Sequence, residues 1–348
     1  MNDKTYCSSA FLMYRTIPDH SKQFQEGVSP KFFVPFSEPP TQVHDSFDLE
    51  DSLKKSVERA CKKGKTAIAL SGGIDSAILA KFMPKGSVAY TFKCVVPGIE
   101  VTDETIQAAK YAKECGLEHR IVEIYWEDFE RYIPILIEHK GAPCHSIEVQ
   151  IYKAGLQAVK DGHDTIIYGE SSDVHYGGLS GLLSKDWTVG EFIDRYSYVK
   201  PYHALKEYQL VTEPITKYEE NGWVNVHEFN RHELFVEAMG SYTNACETAG
   251  INVECPYART WLADPIDLNR VRAGENKYIV RELFNRLYPG YVAPPKTPMP
   301  RPVDQWFKDW EGPKRPEFWP HCTKYMNGDQ RYYVWVLEKF LDYLDTQK

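Results

Sequence analysis

The most informative stretch of the chain reads Ser71-Gly72-Gly73-Ile74-Asp75-Ser76. It follows residues 66–70, an apolar run typical of a buried parallel strand, and precedes residues 77–82, which have the pattern of a helix start. The two glycines allow a sharp turn and leave the backbone amides open to an anion such as a phosphate. A carboxylate at this point repels the anion unless a cation bridges them, so Asp75 indicates magnesium. A glycine-rich turn that binds nothing is the alternative, and the sequence context disfavours it.

This stretch resembles the signature SGG[ILV]DS of the PP-loop ATP pyrophosphatases, which cleave ATP between its α- and β-phosphates. It does not match GxxxxGK[ST], because no lysine follows the glycines at the required spacing. PP-loop enzymes include amide synthetases, tRNA thiolases and NAD synthetases. The resemblance therefore implies the use of ATP, in an adenine nucleotide α-hydrolase-like fold, but not a particular product.

Composition argues against several classes of protein. No apolar run is long enough to span a bilayer, and the polar first ten residues lack a signal-peptide core, so we expect no membrane partner. The net charge of −8 has the wrong sign for a protein that holds tRNA by its phosphates, so we expect no nucleic acid partner. The eight cysteines are scattered without a CxxC pair, which is typical of reduced thiols in a cytoplasmic protein.

Alternating patterns predict an α/β fold with a doubly wound parallel sheet. Strands 66–70 and 165–168 both end in glycine-bearing motifs, so we expect both to point at one crevice. The full set of predicted elements is strands 66–70, 88–92, 120–124 and 165–168 and helices 47–63, 102–115, 126–140 and 148–160.

Three regions are expected along the chain. Residues 1–45 contain five prolines and predict an irregular segment. Residues 46–180 form the ATP-binding α/β domain. In residues 181–348 the strand signal fades, so we expect a mostly helical substrate region whose aromatic C-terminal helix packs in the core.

A second loop reads Gly169-Glu170-Ser171-Ser172-Asp173-Val174-His175-Tyr176-Gly177-Gly178. Gly169 permits close backbone approach, and Asp173 offers a second carboxylate to a magnesium ion held by Asp75. Asp173 as the cap of the following helix is the alternative. The presence of Asp75 on a neighbouring strand end favours the metal.

With this loop the chain resembles the synthetase domain of asparagine synthetase and its relatives, the β-lactam and carbapenam synthetases. Their GE[GS]SDE-x-x-GG element matches except at Val174, and residues 91–98 resemble their SFxVGxPG strand. The likeness covers roughly residues 10–300. It implies a nucleotide site made of Leu70, Ser71, Gly72, Gly73, Asp75, Ser76, Cys94, Tyr168 and Gly169.

Two further segments extend the resemblance: residues 274–281 are similar to the family's K-x-x-[LV]-R helix, and residues 292–300 to its V-x-x-RPK loop. The likeness implies that a carboxylate attacks the α-phosphate of ATP and that a nitrogen nucleophile then displaces AMP. It makes Glu170 the base and places Lys296 and Lys277 as cations near the phosphates. A solvated loop lysine is the alternative for Lys296, and the wet face of a helix, shared with Arg281, is the alternative for Lys277.

The chain departs from this family in two places. Residues 1–65 are too few for the usual N-terminal glutaminase domain, so we expect nitrogen from free ammonia, a separate glutaminase subunit or an amine; a homo-oligomer stays open. In residues 250–259, Glu254 stands where the family has arginine and Arg259 where it has aspartate. We expect these two residues to form an ion pair. If they do not, the charge of the substrate pocket differs from that of the family, and with it the substrate. Aspartate is not supported as the acceptor in either case.

The leading hypothesis is therefore an ATP-dependent, AMP-forming amide ligase that uses magnesium and a small carboxylate. One alternative is a PP-loop enzyme that thiolates or amidates a nucleic acid, suggested by the shared ATP loop. Another is a catalytically silent subunit that partners a glutaminase, suggested by Val174 and the missing domain. The presence of Asp75, Glu170, Asp173 and Lys296 argues against the silent subunit.

Overall fold

A computed structural model describes residues 1–294 and 299–347 of the chain. Its strands, in chain order, are β1 Thr41–Val43, β2 Thr66–Ala69, β3 Val88–Cys94, β4 Glu118–Ile124, β5 Thr165–Ile167, β6 Glu219–Glu220, β7 Trp223–Val224, β8 Asn252–Glu254 and β9 Thr260–Leu262. Its α-helices are α1 Lys4–Tyr14, α2 Ser46–Lys63, α3 Ile74–Ala80, α4 Thr105–Cys115, α5 Trp126–Lys140, α6 Glu148–Lys160, α7 Ser172–His175, α8 Val189–Tyr196, α9 Pro201–Ala204, α10 Glu213–Thr216, α11 Val226–Phe229, α12 Phe235–Ala249, α13 Leu268–Arg272, α14 Tyr278–Leu287, α15 Val303–Trp306 and α16 Gly328–Thr346. A π-helical turn covers Asn230–Leu234, and a 3₁₀ turn covers Pro256–Arg259.

The central sheet is parallel and has the strand order β4-β3-β2-β5-β8. The chain builds β2, β3 and β4 in one direction and then crosses back to place β5 on the other side of β2. The strand order therefore reverses between β2 and β5. Parallel sheets bind ligands at such a reversal, beyond the carboxyl ends of the strands.

Helices flank this sheet, as an α/β fold requires. Helices α3 and α4 pack on β2, β3 and β4 and are backed by α14, while α6 packs on β3, β4 and β5 and is backed by α5 and α12. The four residues of β2 are all buried, which explains its uninterrupted apolar sequence. The predicted α/β class with its parallel sheet and helical C-terminal region is confirmed.

Local sequence explains where the elements begin and end. Helix α2 begins after Asp45, whose carboxylate accepts the N–H groups of Phe47 and Asp48. Helix α4 ends at Gly116 in the left-handed conformation, with φ of 68°. The aromatic helix α16 is buried along most of its length, as expected for a core-packing helix.

Two expectations need correction. Residues 1–45 are not irregular throughout, because α1 forms a buried helix over Lys4–Tyr14, capped by Asp3. The prolines that suggested irregularity begin only at Pro18, so nothing interrupts this earlier stretch. Strand β8 lies beyond residue 180 and yet completes the central sheet next to β5. The sheet therefore extends past the region assigned to it.

None of the helices within the described ranges is both long and apolar enough to cross a membrane.

Candidate active site

Both glycine-bearing loops lie at the carboxyl ends of β2 and β5, the neighbouring strands where the sheet order reverses. A Cβ atom at Gly169 would lie 3.0 Å from the backbone nitrogen of Ser76 and 3.1 Å from the Cβ of Asp75. Glycine at position 169 therefore allows the second loop to pack directly against the first.

Two serine side chains brace the first loop. The N–H of Ser71 donates to the Oγ of Ser76 at 3.0 Å, and the N–H of Gly73 donates to the Oγ of Ser71 at 3.1 Å. Gly73 precedes α3 with an extended backbone and no side-chain cap. These bonds fix the shape of the loop before any ligand binds.

The carboxylates of Asp75 and Asp173 converge on one ammonium group. The Nζ of Lys277 lies 2.5 Å from the Oδ1 of Asp75 and 3.1 Å from the Oδ1 of Asp173. The hydroxyl of Ser172 donates to the Oδ1 of Asp75 at 2.7 Å. The side chain of Lys277 is only 5% exposed, so the alternative interpretation of Lys277, a solvated helix face, is wrong. We refer to Asp75, Asp173 and Lys277 as the loop cluster.

Unusual backbone positions make the loop cluster possible. Lys277 itself has a φ of 54°, a left-handed conformation that costs a non-glycine residue about 1–2 kcal/mol. At Gly178, a Cβ would lie 1.9 Å from the Oδ1 of Asp173 and 2.7 Å from the Cδ of Lys277. The second glycine of the Gly-Gly pair is therefore required by the ion pairs beside it.

A cavity of about 400 Å³ opens above the two loops, and Lys277, Glu170 and Asp173 lie on its wall. Cys94 does not line this wall. Its thiol donates at 3.1 Å to the carbonyl of Pro300, and Pro300 lines the wall in its place. The other residues predicted to contact a nucleotide all line the cavity, namely Leu70, Ser71, Gly72, Gly73, Asp75, Ser76, Tyr168 and Gly169.

Glu170 lies in this cavity next to a buried phenol. Its Oε1 accepts the N–H of Ser171 at 2.7 Å, and Ser171 has a left-handed backbone with φ of 74°. Burial, and then the charge of Glu170, raise the pKa of Tyr242 well above its usual value. Tyr242 therefore stays protonated and keeps a hydroxyl proton beside the carboxylate.

Lys296, the third predicted catalytic residue, lies outside the described residues.

Several wall residues were missed by sequence reasoning. Those at the start of α4 follow the end of β3, and the rule that ligands bind at the carboxyl ends of strands would have found them. Tyr242 comes from α12 in the helical half, where no motif marks it. The missed residues include Thr102, Asp103, Glu104, Gln107, Tyr242 and Asn276.

The ion pair expected between Glu254 and Arg259 is present. The Nε of Arg259 lies 2.9 Å from the Oε1 of Glu254, which also accepts from the Oγ of Ser56 at 3.1 Å. Neither charged residue lines the cavity. Glu254 and Arg259, whose charges are reversed relative to the family, thus form an ion pair at the edge strand β8.

The donor set suits a divalent cation only in part. Within residues 1–294 and 299–347, no three His, Cys, Asp or Glu side chains are grouped as metal ligands. Asp75 and Asp173 supply two hard oxygen donors that face the same point, and that point holds the ammonium of Lys277. The pair fits magnesium only when other ligands, such as phosphate oxygens and water, complete the shell.

The fold and these two loops are those of a PP-loop protein. A model of the asparagine synthase family matches residues 48–253, more than half of the chain. The protein therefore belongs to the asparagine synthase family, and membership supports an ATP-using synthetase. No curated protein sequence matches the chain.

Similar solved structures come from the PP-loop superfamily. An NH3-dependent NAD synthetase from Campylobacter jejuni is 16% identical, with a TM-score of 0.26; the match covers 39% of this chain and 61% of the synthetase, which is less than two thirds of its length. An NMN synthetase from Francisella tularensis is 12% identical over 73% of this chain and 100% of its own, with a TM-score of 0.29. The U34-tRNA thiolase NcsA from Methanococcus maripaludis is 15% identical over 72% of this chain and 85% of its own, also with a TM-score of 0.29. Such remote likeness gives no information on chemistry.

Proposed function

We propose that this protein is an ATP-dependent, AMP-forming amide ligase. It activates a carboxylate with ATP and transfers ammonia or an amine to the activated acid. The observation that supports this most strongly is the convergence of Asp75 and Asp173 on one cation position beside the glycine loop. Membership in the asparagine synthase family agrees with this chemistry.

The first loop would hold the phosphates of ATP. Gly72 and Gly73 carry no side chains, so phosphate oxygens approach the backbone closely. The serine bonds that brace this loop mean that little ordering is needed when the nucleotide binds. Tyr168, Gly169 and Leu70 would form the adjoining wall against the nucleoside.

Asp75 and Asp173 would hold magnesium when the nucleotide binds, with the remaining ligands supplied by phosphate oxygens and water. Magnesium supplies positive charge that offsets the charge developing on the phosphates. Lys277 then has to yield its place between the carboxylates, and its ammonium remains available to the phosphate oxygens. Lys296 would add a second positive charge near the α-phosphate, as the resemblance implies.

The proposed reaction has two steps, adenylation of the acid and displacement of AMP. A carboxylate oxygen attacks the α-phosphorus, the bond to the β-phosphate breaks, and pyrophosphate leaves with the electron pair. The nitrogen nucleophile then attacks the acyl carbon, the carbon–oxygen bond to AMP breaks, and AMP leaves. Glu170 would accept the proton that the nitrogen loses, because its carboxylate lies on the cavity wall.

The proposal includes three possible sources of the nitrogen. Free ammonia, a separate glutaminase subunit or an amine substrate would each supply the same nitrogen nucleophile.

The test is to incubate the protein with ATP, magnesium and pools of carboxylic acids and ammonia and to measure the nucleotide products. We expect AMP and pyrophosphate, released only when an acid is present. Asp173→Asn should abolish this release. Asp51→Asn is the matched control, because Asp51 pairs with Lys55 on the exposed face of α2. Release of ADP and phosphate would contradict the proposal.

A further inference from the structure

Ser172 lies between the two glycine-bearing loops and holds the carboxylate of Asp75. It is the first residue of α7, it is 1% exposed, and its hydroxyl donates to the Oδ1 of Asp75 at 2.7 Å. Asp173, the next residue in the chain, directs its own carboxylate at the point where the ammonium of Lys277 lies. One short segment therefore supplies one of the two carboxylates of the loop cluster and holds the other.

The two carboxylate oxygens of Asp75 have different partners. The Nζ of Lys277 lies 2.5 Å from Oδ1 and 2.6 Å from Oδ2, so the ammonium faces both oxygens. The hydroxyl of Ser172 binds Oδ1 alone. If a metal ion takes the place of the ammonium, Oδ1 still accepts the hydroxyl, and Oδ2 is the oxygen to which the described residues offer no other donor.

The backbones on both sides of this bond are held by one buried residue. The hydroxyl of Tyr257 donates to the carbonyl of Asp75 at 3.3 Å, and the carbonyl of Tyr257 accepts the Nδ1 of His175, the last residue of α7, at 3.2 Å. Tyr257 is fully buried. It thus ties α7 to the start of α3, and the main freedom left to Asp75 is the rotation of its carboxylate, which the hydroxyl of Ser172 restricts.

The number of oxygens that a carboxylate offers matters for the choice of metal. Magnesium is small and requires a nearly octahedral set of ligands, whereas calcium accepts more oxygens in a flexible geometry and often takes both oxygens of one carboxylate. A carboxylate that rotates freely to offer both oxygens therefore suits calcium. A carboxylate with one oxygen already bound to a hydroxyl suits magnesium.

We propose that Ser172 is a positioning residue that makes Asp75 a one-oxygen ligand and thereby sets a preference for magnesium over calcium at the loop cluster. The inference rests on the proposed function, because the metal enters the site together with the phosphates of ATP. Ser172 acts through Asp75 and has no contact with the nucleotide in this role.

Ser171 provides a matched control. It directly precedes Ser172, it is also 1% exposed, and its hydroxyl has no hydrogen-bond partner among the described residues. Its backbone is left-handed, with φ of 74°, and serine and alanine carry the same Cβ, so the strain is equal in either. Ser171→Ala therefore removes a buried hydroxyl from the same loop without changing the contacts of Asp75.

The first experiment measures binding and does not depend on turnover. The affinity of the nonhydrolysable α,β-methylene analogue of ATP is measured calorimetrically in saturating magnesium and in saturating calcium. We expect the wild-type protein to bind the magnesium complex about tenfold or more tightly than the calcium complex. Ser172→Ala should reduce this preference about fivefold, Ser172→Cys, which keeps a weak donor of similar size, should reduce it less, and Ser171→Ala should leave it unchanged.

Two results of this experiment would overturn the inference. One is a wild-type protein that binds both complexes equally. The other is a Ser172→Ala protein that binds both complexes more weakly by the same factor, because a merely structural role of the hydroxyl leaves the ratio of the two affinities unchanged.

The second experiment separates this inference from the proposed function. Pyrophosphate release is measured with saturating acid, ammonia and ATP while calcium is added against a fixed concentration of magnesium, and calcium should inhibit Ser172→Ala at about fivefold lower concentration than the wild type. A preference that depends on Ser172 without any pyrophosphate release would contradict the proposed function and leave the inference intact. Pyrophosphate release that calcium inhibits equally in both proteins would contradict the inference alone.

Discussion

The loop cluster and a second group of polar residues, which lies behind Pro300, differ in how completely their polar atoms are paired. The second group, here called the rear cluster, consists of Arg15, His145, Gln150, Glu237 and Arg301. In the loop cluster, the ammonium of Lys277 lies within 3.1 Å of both Asp75 and Asp173. In the rear cluster, Arg15 and Arg301 each keep a buried N–H without an acceptor among the described residues. One group is complete without a ligand, and the other is not.

This difference indicates two kinds of binding event. At the loop cluster the ammonium of Lys277 already lies between the carboxylates, so the magnesium–nucleotide complex of the proposed function would exchange one set of ion pairs for another. At the rear cluster, a buried water molecule would add hydrogen bonds that the described residues do not supply. Substitutions in the loop cluster should therefore alter turnover and stability together, whereas those in the rear cluster should alter stability.

The largest effect is expected for Gly178→Ala. The new Cβ would lie 1.9 Å from the Oδ1 of Asp173, so the carboxylate has to move away from Lys277. A displacement of about 1 Å in such a site lowers turnover about a hundredfold. The measurement is pyrophosphate release at saturating ATP. Gly190→Ala is the matched control, because nothing lies within 4 Å of its added Cβ. Equal activity of the two variants would show that the geometry of the loop cluster does not matter for turnover.

A smaller effect is expected for Lys277→Met, which removes the cation but keeps much of the side-chain volume. Asp75 and Asp173 then repel each other in a mostly buried position, and the free energy of unfolding should fall by about 2–3 kcal/mol. Magnesium alone should restore part of this loss, because it binds the two carboxylates of the folded protein.

Chemical denaturation with and without magnesium measures both effects of Lys277→Met. Lys55→Met is the control, since Lys55 and Asp51 are mostly exposed and such a pair contributes less than about 1 kcal/mol. A Lys277→Met protein as stable as the wild type, or insensitive to magnesium, would show that Lys277 does not hold the cation position.

Sequence reasoning found the loop cluster because its members lie in motifs at strand ends. Asp75 and Asp173 each follow a buried strand, and parallel strands present their carboxyl ends at one edge of the sheet. The ion pairs of Lys277 were not expected, because its position depends on a left-handed residue at the start of α14 and no local pattern marks it. The pairing of Glu254 with Arg259 was expected, since exchanged charges at two matched positions suggest contact.

The rear cluster was not predictable from the sequence. Its residues come from the end of α1, from the segment before α6, from α6 itself, from α12 and from the segment before α15, and only tertiary packing brings them together. Arg15 lies in a region that the prolines made look irregular, and Glu237 lies in a helix without a motif. The third region of the chain was expected to be helical, and it supplies Tyr242 and β8 to the sheet domain as well.

The smallest effect is a dependence of stability on pH, which tests how firmly α7 holds Asp173. Burial lowers the pKa of His175, at the end of α7, from its usual value to about 3. Between pH 6.5 and 3 the unfolded chain binds a proton at this residue and the folded protein does not, so stability falls as the pH decreases through this range. One pH unit corresponds to about 1.4 kcal/mol, which gives a loss of about 2 kcal/mol between pH 6.5 and 5.

In His175→Asn the amide group still donates to the carbonyl of Tyr257, as the Nδ1 of His175 does at 3.2 Å, but it does not titrate. Urea denaturation from pH 8 to 5 should therefore show a shallower decline for the variant, and parallel declines would mean that α7 opens to solvent before the protein unfolds.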